Sequence, residues 1–431
     1  MSNSSTEAPD IHGQEADKDG TPPDLPAHNL HAFPEGGTDA WLTVAGASAS
    51  LFVSFGWINS IGLFQEFFQD DLLPEYTPSE IAWIPSLMLL FMFIGGIFIG
   101  KVFDDDGPRY LLAFGTFLHV LGLMLTSVSS QYVQIILCQG VVSALGSSMI
   151  MFPAVSCVQT WFREKRGQAM GPVMGSSSLG GIIFPCMVTS LLPQVGFGWT
   201  YRICAFLILA LCVFANFTIK SRLPPNPTKF QIINYLRPFK EPTFVFVSLG
   251  IFFFWWGMFI PMNFIVEAAL QRGISVHLSR YLVAILNTTG VLGRAVPVAL
   301  GDKLGHFNVT IIMAIFTTVL VLALLMPTTG QASILAFTAL FGVGSGGVIG
   351  LAPVICAHVS PIREIGARIG TAYFFASFAA LTGSPIGGQI VVDRKGKYFD
   401  TFLFAGVCCA IGTVSFIIAR TTHAGFKLGK V

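Results

Sequence analysis

Hydrophobic residues in this chain gather into runs, each close to the roughly 20 residues that a bilayer crossing needs. Six fall near 41–67, 80–101, 110–129, 132–157, 167–191 and 199–219. Six more fall near 243–269, 279–301, 309–327, 331–357, 367–391 and 400–420. Between the two sets lies a polar stretch, Lys220 to Glu241, punctuated by Pro224, Pro225, Pro227 and Pro238. Residues 1–40 are rich in Ser, Asp, Glu, Pro and Gly and hold no apolar signal-peptide core, so the first run must itself direct insertion. The pattern predicts an all-α membrane protein of twelve transmembrane helices. Its expected parts are a disordered cytosolic tail over 1–40, a six-helix bundle over 41–219, a cytosolic linker over 220–241, a second six-helix bundle over 242–420 and a cytosolic tail over 421–431.

Composition supports the class. Of 431 residues 53% are hydrophobic and only 11% charged, where a soluble domain carries about 25% charged residues. A net charge of +1 argues against a nucleic-acid partner. The eight cysteines lie in or at the ends of apolar runs and form no CxxC pair, so neither a disulfide framework nor a zinc site is expected. With the N-terminus inside, seventeen Lys and Arg fall on the cytosolic side against six outside, which places both termini in the cytosol.

The two sets of runs repeat each other. Asp104 and Gly107 recur as Asp302 and Gly305, and Gly146 with Pro153 recurs as Gly346 with Pro353. Gly167 and Gly171 recur as Gly366 and Gly370, and Pro185 as Pro385. Because each set has six members, the repeats are parallel about an axis along the membrane normal, and paired repeats with a site between them are how secondary transporters build alternating access.

Arg294 stands apart from every other basic residue because it lies well inside an apolar run that extends from about Leu278 to Leu300. A charge at such depth costs several kcal/mol on insertion scales and is usually functional. The sharper reading is an anion site; the alternative is that Arg294 reaches the cytosolic interface or pairs with a neighbouring helix. Asn287 lies seven residues earlier and so shares its helix face. Other polar or amphipathic candidates inside the runs are Asn59, Trp255, Asn263 and Tyr373, for which an interhelical hydrogen bond or simple packing is the competing reading. Gly342 to Gly347 fits a dinucleotide-binding glycine pattern, but no strand precedes it, so close helix packing is expected instead. There is no HExxH, GxSxG or P-loop lysine, so no enzyme is expected, no catalytic residues are assigned and no cofactor or metal is implied.

Several motifs carry a resemblance. Gly100, Asp104, Gly107 and Arg109 resemble the loop signature of the major facilitator superfamily, with Asp302 and Gly305 as a weaker second copy. In that signature glycine permits a tight turn and an Asp/Arg network latches helix ends, so these six residues are expected to act in gating. Pro34 to Gly37 before Trp41, Ser54 to Phe64, Trp161 to Gly171, Asn287 to Asn308 and Gly383 to Gly388 together resemble the fungal monocarboxylate-porter-like branch of that superfamily over about residues 34–420. The resemblance implies a twelve-helix transporter with Arg294 where a guanidinium holds a substrate carboxylate, a match of two parallel hydrogen bonds. Animal members carry an Asp one turn before that Arg and a Lys in the first span, where this chain has Gly290 and Asn59. The groups that couple protons to lactate in the family are thus replaced here, and protons stay open as a partner.

The expected function is alternating-access transport of a small organic anion or acidic secondary metabolite across the plasma membrane, outward, with a vacuolar or other endomembrane as the alternative site. A wide cavity lined by Trp, Phe and small residues is expected to suit a ligand bulkier than lactate. Two other readings stand beside it: proton-coupled uptake of a monocarboxylate or a vitamin such as riboflavin, and a non-transporting nutrient receptor.

Overall fold

Residues with long apolar runs have one way to satisfy their backbone in lipid without partners, which is the α-helix. The computed structural model describes residues 33–227, 235, 237–327, 330–425 and 429–430, and among these there is no β-strand. Most of the expected N-terminal tail therefore lies outside the described residues, as do residues 228–234 and 236 of the linker and 426–428 and 431 of the C-terminal tail.

Among the described residues eleven helices are long and apolar enough to cross a membrane. In chain order they are α1 (Thr38–Gln65), α2 (Trp83–Asp106), α3 (Arg109–Thr126), α4 (Tyr132–Trp161), α5 (Arg166–Thr218), α6 (Pro242–Gln271), α7 (Val276–Leu304), α8 (His306–Leu325), α9 (Gln331–His358), α10 (Ile362–Asp393) and α11 (Phe399–Ala424). Twelve were expected. The difference lies in α5, whose 53 residues cover both the fifth and sixth apolar runs. At about 1.5 Å per residue it is roughly 80 Å long, well over twice the roughly 30 Å hydrocarbon core. Gly196 interrupts it with φ 76 and ψ 174, so α5 is two helices joined across a kink. Glycine is required there because that backbone conformation is disfavoured for a residue with a Cβ.

The described residues from Pro34 onward form one compact unit. Within the first half of the chain α1 packs most extensively on α5, and within the second half α6 packs on α11 and α7 on α9. Two seams join the halves, α5 with α7 and α2 with α10. Small residues make both possible: a Cβ on Gly100 or Gly370 would collide with the backbone of Gly366 or Gly96 across the α2–α10 seam. Gly167 and Gly171 lie against the carbonyls of Val298 and Ala295 in the other seam. The glycines of α9 behave as expected for helix packing: Gly342 and Gly346 approach α7 at Leu286 and Gly290. Large apolar side chains such as Phe98, Phe117 and Phe217 remain exposed on the outer faces, as a lipid-facing surface requires.

Candidate functional site

The site begins at the linker-side ends of the helices. The first N–H groups of a helix have no partner within it and carry partial positive charge, so a carboxylate placed there is doubly favoured. Both seams use this. Asp302 of α7 accepts from the backbone N–H of Gly167 and Gln168 at 2.7 Å each. Asp104 of α2 accepts from Gly366 and Ala367 at 2.9 and 2.7 Å. In each case the donors are the second and third residues of an α-helical segment in the opposite half of the chain. Gly107 and Gly305 follow the two aspartate-bearing helices with φ 81 and 92, left-handed turns that let the chain reverse. Gly100 provides the close approach already described.

Arg109 does not join this arrangement. It is exposed at the start of α3 and makes no side-chain hydrogen bond or ion pair among the described residues, while Lys101 pairs with Asp105. The arginine that ties this side together is Arg368, buried and bonded to Glu241 at 2.7 Å through both terminal nitrogens and to Glu364 at 3.0 Å. The Arg368 hydrogen bond holds the Glu241 carboxyl below the usual glutamate range. The sequence signal for Arg368 was weak, because nothing local distinguishes it from other basic residues at helix ends.

Arg294 lies ten residues from the end of α7 and Ser177 eleven residues into α5, which puts both about 15 Å deep, near the middle of a bilayer. Arg294 is 6% exposed. Its Nη1 donates to the Ser177 hydroxyl at 2.6 Å across the seam, and its Nε is buried without a partner. Among the described residues no carboxylate pairs with it. Room for its stem comes from α9, where Gly346 lies against Arg294 Cγ and Gly350 against Arg294 Cα. A buried guanidinium facing one neutral hydroxyl keeps its charge uncompensated, which is an arrangement able to take an anion. Ser177 was not legible in the sequence, since its role depends on which face of α5 meets α7.

The other sequence candidates fall into separate groups. Asn59 and Asn287 both border Gly181: Asn59 Nδ2 and Asn287 Oδ1 lie 2.9 and 3.2 Å from the point a Cβ on Gly181 would occupy. Asn59 also donates to the Phe55 carbonyl at 3.0 Å, and Asn287 is buried, 2% exposed. Trp255 and Tyr373 meet, ring to ring at 5.0 Å, with Phe93 and Phe152 completing an aromatic cluster between α2, α4, α6 and α10. The indole N–H of Trp255 is buried without a partner. Asn263 stays apart, exposed and bonded to Ser384 of α10 at 2.5 Å, an interhelical hydrogen bond.

Where the aromatic cluster was expected to line a wide cavity, the described residues leave little space in this conformation. A gap lined by Phe55, Phe152, Met174, Ile349 and Tyr373 among others has a volume of about 10 Å³, room for about one water. Small-molecule sites usually measure about 300–1,000 Å³. The aromatic side chains that would line an open cavity pack on one another instead, because in the closed arrangement that buries their apolar surface. The hydrogen bonds between the halves, those of the two seams and that from Gln159 Nε2 of α4 to the Pro353 carbonyl of α9 at 2.9 Å, lie from the Arg294 level toward the linker side.

Helices crossing a membrane several times, glycine seams between two chain halves and a buried central charge define a multi-pass membrane protein of transporter type. The sequence profile of the Major Facilitator Superfamily matches residues 46–370, and the chain belongs to that family. The chain is 48% identical to the MFS-type transporter opdF of Penicillium oxalicum over 92% of its own length and 93% of the relative. It is 39% identical to the Fujikurins efflux protein of Gibberella fujikuroi over 100% of this chain and 93% of that protein. Among solved structures, the MFS transporter FucP in its outward conformation superposes with a TM-score of 0.69 at 15% identity, covering 89% of this chain and 99% of that one. The family is one of transporters, not enzymes.

Proposed function

We propose that this protein exports a small organic anion or acidic secondary metabolite by alternating access, as a monocarboxylate-porter-like major facilitator of the plasma membrane. In this reading α1 to α5 form one six-helix bundle and α6 to α11 the other, with the two limbs of α5 counted as separate crossings. Both termini and the linker then face the cytosol. The observation that carries the reading is Arg294, buried at mid-membrane depth with a neutral serine as its hydrogen-bond partner. A substrate carboxylate supplies the missing counter-charge. Trp255 and Tyr373 provide an apolar wall for the body of the substrate once the halves part, and Asn59 and Asn287 offer polar contacts toward the outer side. Asn263 contributes less, through Ser384. Asp104 and Asp302, with Gly100, Gly107 and Gly305, form the cytosolic gate, and Arg109 has no part in its closed form. The relative named as an efflux protein supports the outward direction.

The test is a comparison of metabolites in cells and medium between the native host and a strain lacking the gene. An acid that accumulates inside and falls outside is the expected result. A nutrient acid or vitamin left unconsumed in the medium would reverse the direction, and unchanged profiles in both compartments would remove the metabolite assignment.

A further inference from the structure

A guanidinium offers five N–H donors on a rigid plane, and which edge a ligand meets depends on what occupies the rest. In this protein one terminal nitrogen of Arg294 is taken, by Ser177 at 2.6 Å. The Ser177 hydroxyl in turn donates to the Met174 carbonyl at 2.5 Å, one turn back on its own helix. Its single proton is thereby committed, so its lone pair faces the arginine. Both partners are nearly inaccessible, Ser177 at 2% and Arg294 at 6% exposure, so water competes little for this bond. Nε remains buried and without a partner.

The chemistry of the partner matters as much as its position. An aspartate in this place would fix the guanidinium and also cancel its charge, leaving little for a substrate to gain. A serine fixes it and leaves the charge intact. The next residue, Ser178, has a fully buried hydroxyl oxygen without a partner, 3.2 Å from where a Cβ on Gly290 would stand. Position 290, one turn before Arg294, thus adds no side chain that could compete for the guanidinium.

We propose that Ser177 is the positioning residue of the anion site: by holding Nη1 it presents Nε and the remaining terminal nitrogen as the edge that takes a planar two-oxygen acid side-on. The ligand class is a carboxylate, or an enolate whose two oxygens lie in one plane, and a single-oxygen or neutral analogue gains nothing from that edge. This rests on the anion-site reading of Arg294 given above.

The experiment uses the full-length protein in lipid nanodiscs, with 2-naphthoate as the probe and 2-naphthamide as its neutral analogue of the same shape. Binding is read from quenching of intrinsic tryptophan fluorescence, and the unfolding midpoint of each variant is measured without ligand. The wild type is expected to prefer naphthoate over naphthamide by at least about tenfold, the scale of one hydrogen bond to a charged group. Ser177→Ala and Ser177→Cys are expected to lose most of that preference, and Ser177→Thr, which keeps the hydroxyl, to retain it. A purely structural role would weaken both probes alike and leave their ratio unchanged. A ratio as in the wild type for folded Ser177→Ala or Ser177→Cys overturns the assignment of Ser177, provided Arg294→Gln abolishes the preference. A preference that survives Arg294→Gln, or that the wild type never shows, overturns the anion site itself and Ser177 with it.

Discussion

The α2–α10 and α5–α7 seams are two versions of one construction. Each places an aspartate on the second and third N–H groups of a helix from the other half of the chain, and each brings helices together over glycine. They diverge one level deeper. By the offset that relates Asp104 to Asp302, the counterpart of Arg294 is Gly96. At Gly96 the backbone carbonyl lies against Gly370 across the seam, and the ring of Phe152 fills the place a side chain would take. At Arg294 the same level holds a buried charge whose partner is a hydroxyl. Duplication accounts for the ends of the helices, where both halves do the same work. Chemistry enters where the copies stopped being equal.

The sharpest way to break this comparison is at the unequal position. Arg294→Lys is expected to abolish transport while the protein still reaches the membrane, a fall of at least about a hundredfold, because a point charge cannot supply the two parallel hydrogen bonds of the guanidinium. Flux within a few-fold of wild type in vesicles would detach Arg294 from the mechanism and leave the two seams functionally alike.

Next in size is the glycine seam. Gly100→Val places its added carbons against the Gly366 backbone, which cannot move aside as a flexible side chain could. A cost of about 1–3 kcal/mol is expected, seen as a lower unfolding midpoint together with lost transport. An unchanged midpoint would mean that α2 and α10 need not approach so closely.

The paired caps then test whether the seams are equivalent. Asp302→Asn and Asp104→Asn each replace one acceptor oxygen by an NH₂ facing a backbone donor, for about 1–3 kcal/mol of local stability. Hydrogen exchange should speed up at Gly167 and Gln168 in the first variant and at Gly366 and Ala367 in the second, to similar extents. Asp302 also lies 3.2 Å from His306, a contact without a copy in the other seam, so a larger effect there would measure how far the symmetry has eroded.

The smallest effect concerns pH. Glu241 has its folded-state pKa lowered by the Arg368 hydrogen bond. Its contribution is therefore complete above the unfolded value of about 4.5 and disappears as pH falls through the lowered folded value. Since its side chain is 48% exposed, solvent screening keeps the contribution below about 1 kcal/mol. The unfolding midpoint of Glu241→Gln should fall less steeply than wild type over that acid range; parallel curves would show that the Arg368 pair adds nothing measurable.

Much of this molecule was written locally in the chain. Long apolar runs, the absence of strand periodicity, glycines at four-residue spacing and the repeated Asp-x-x-Gly turns each state a backbone preference that does not depend on distant partners. An arginine inside an apolar run is legible for the same reason, since its cost in lipid follows from its neighbours in sequence. What the tertiary structure alone decided is who meets whom. That Asp302 caps Gly167 and not its own turn, that Arg368 and not Arg109 binds carboxylates, that Asn59 and Asn287 converge on Gly181 while Asn263 stands apart, and that Ser177 holds Arg294 all depend on how far each helix is rotated about its axis. That rotation is set by packing small residues against backbone over many turns at once, and no short stretch of sequence contains it.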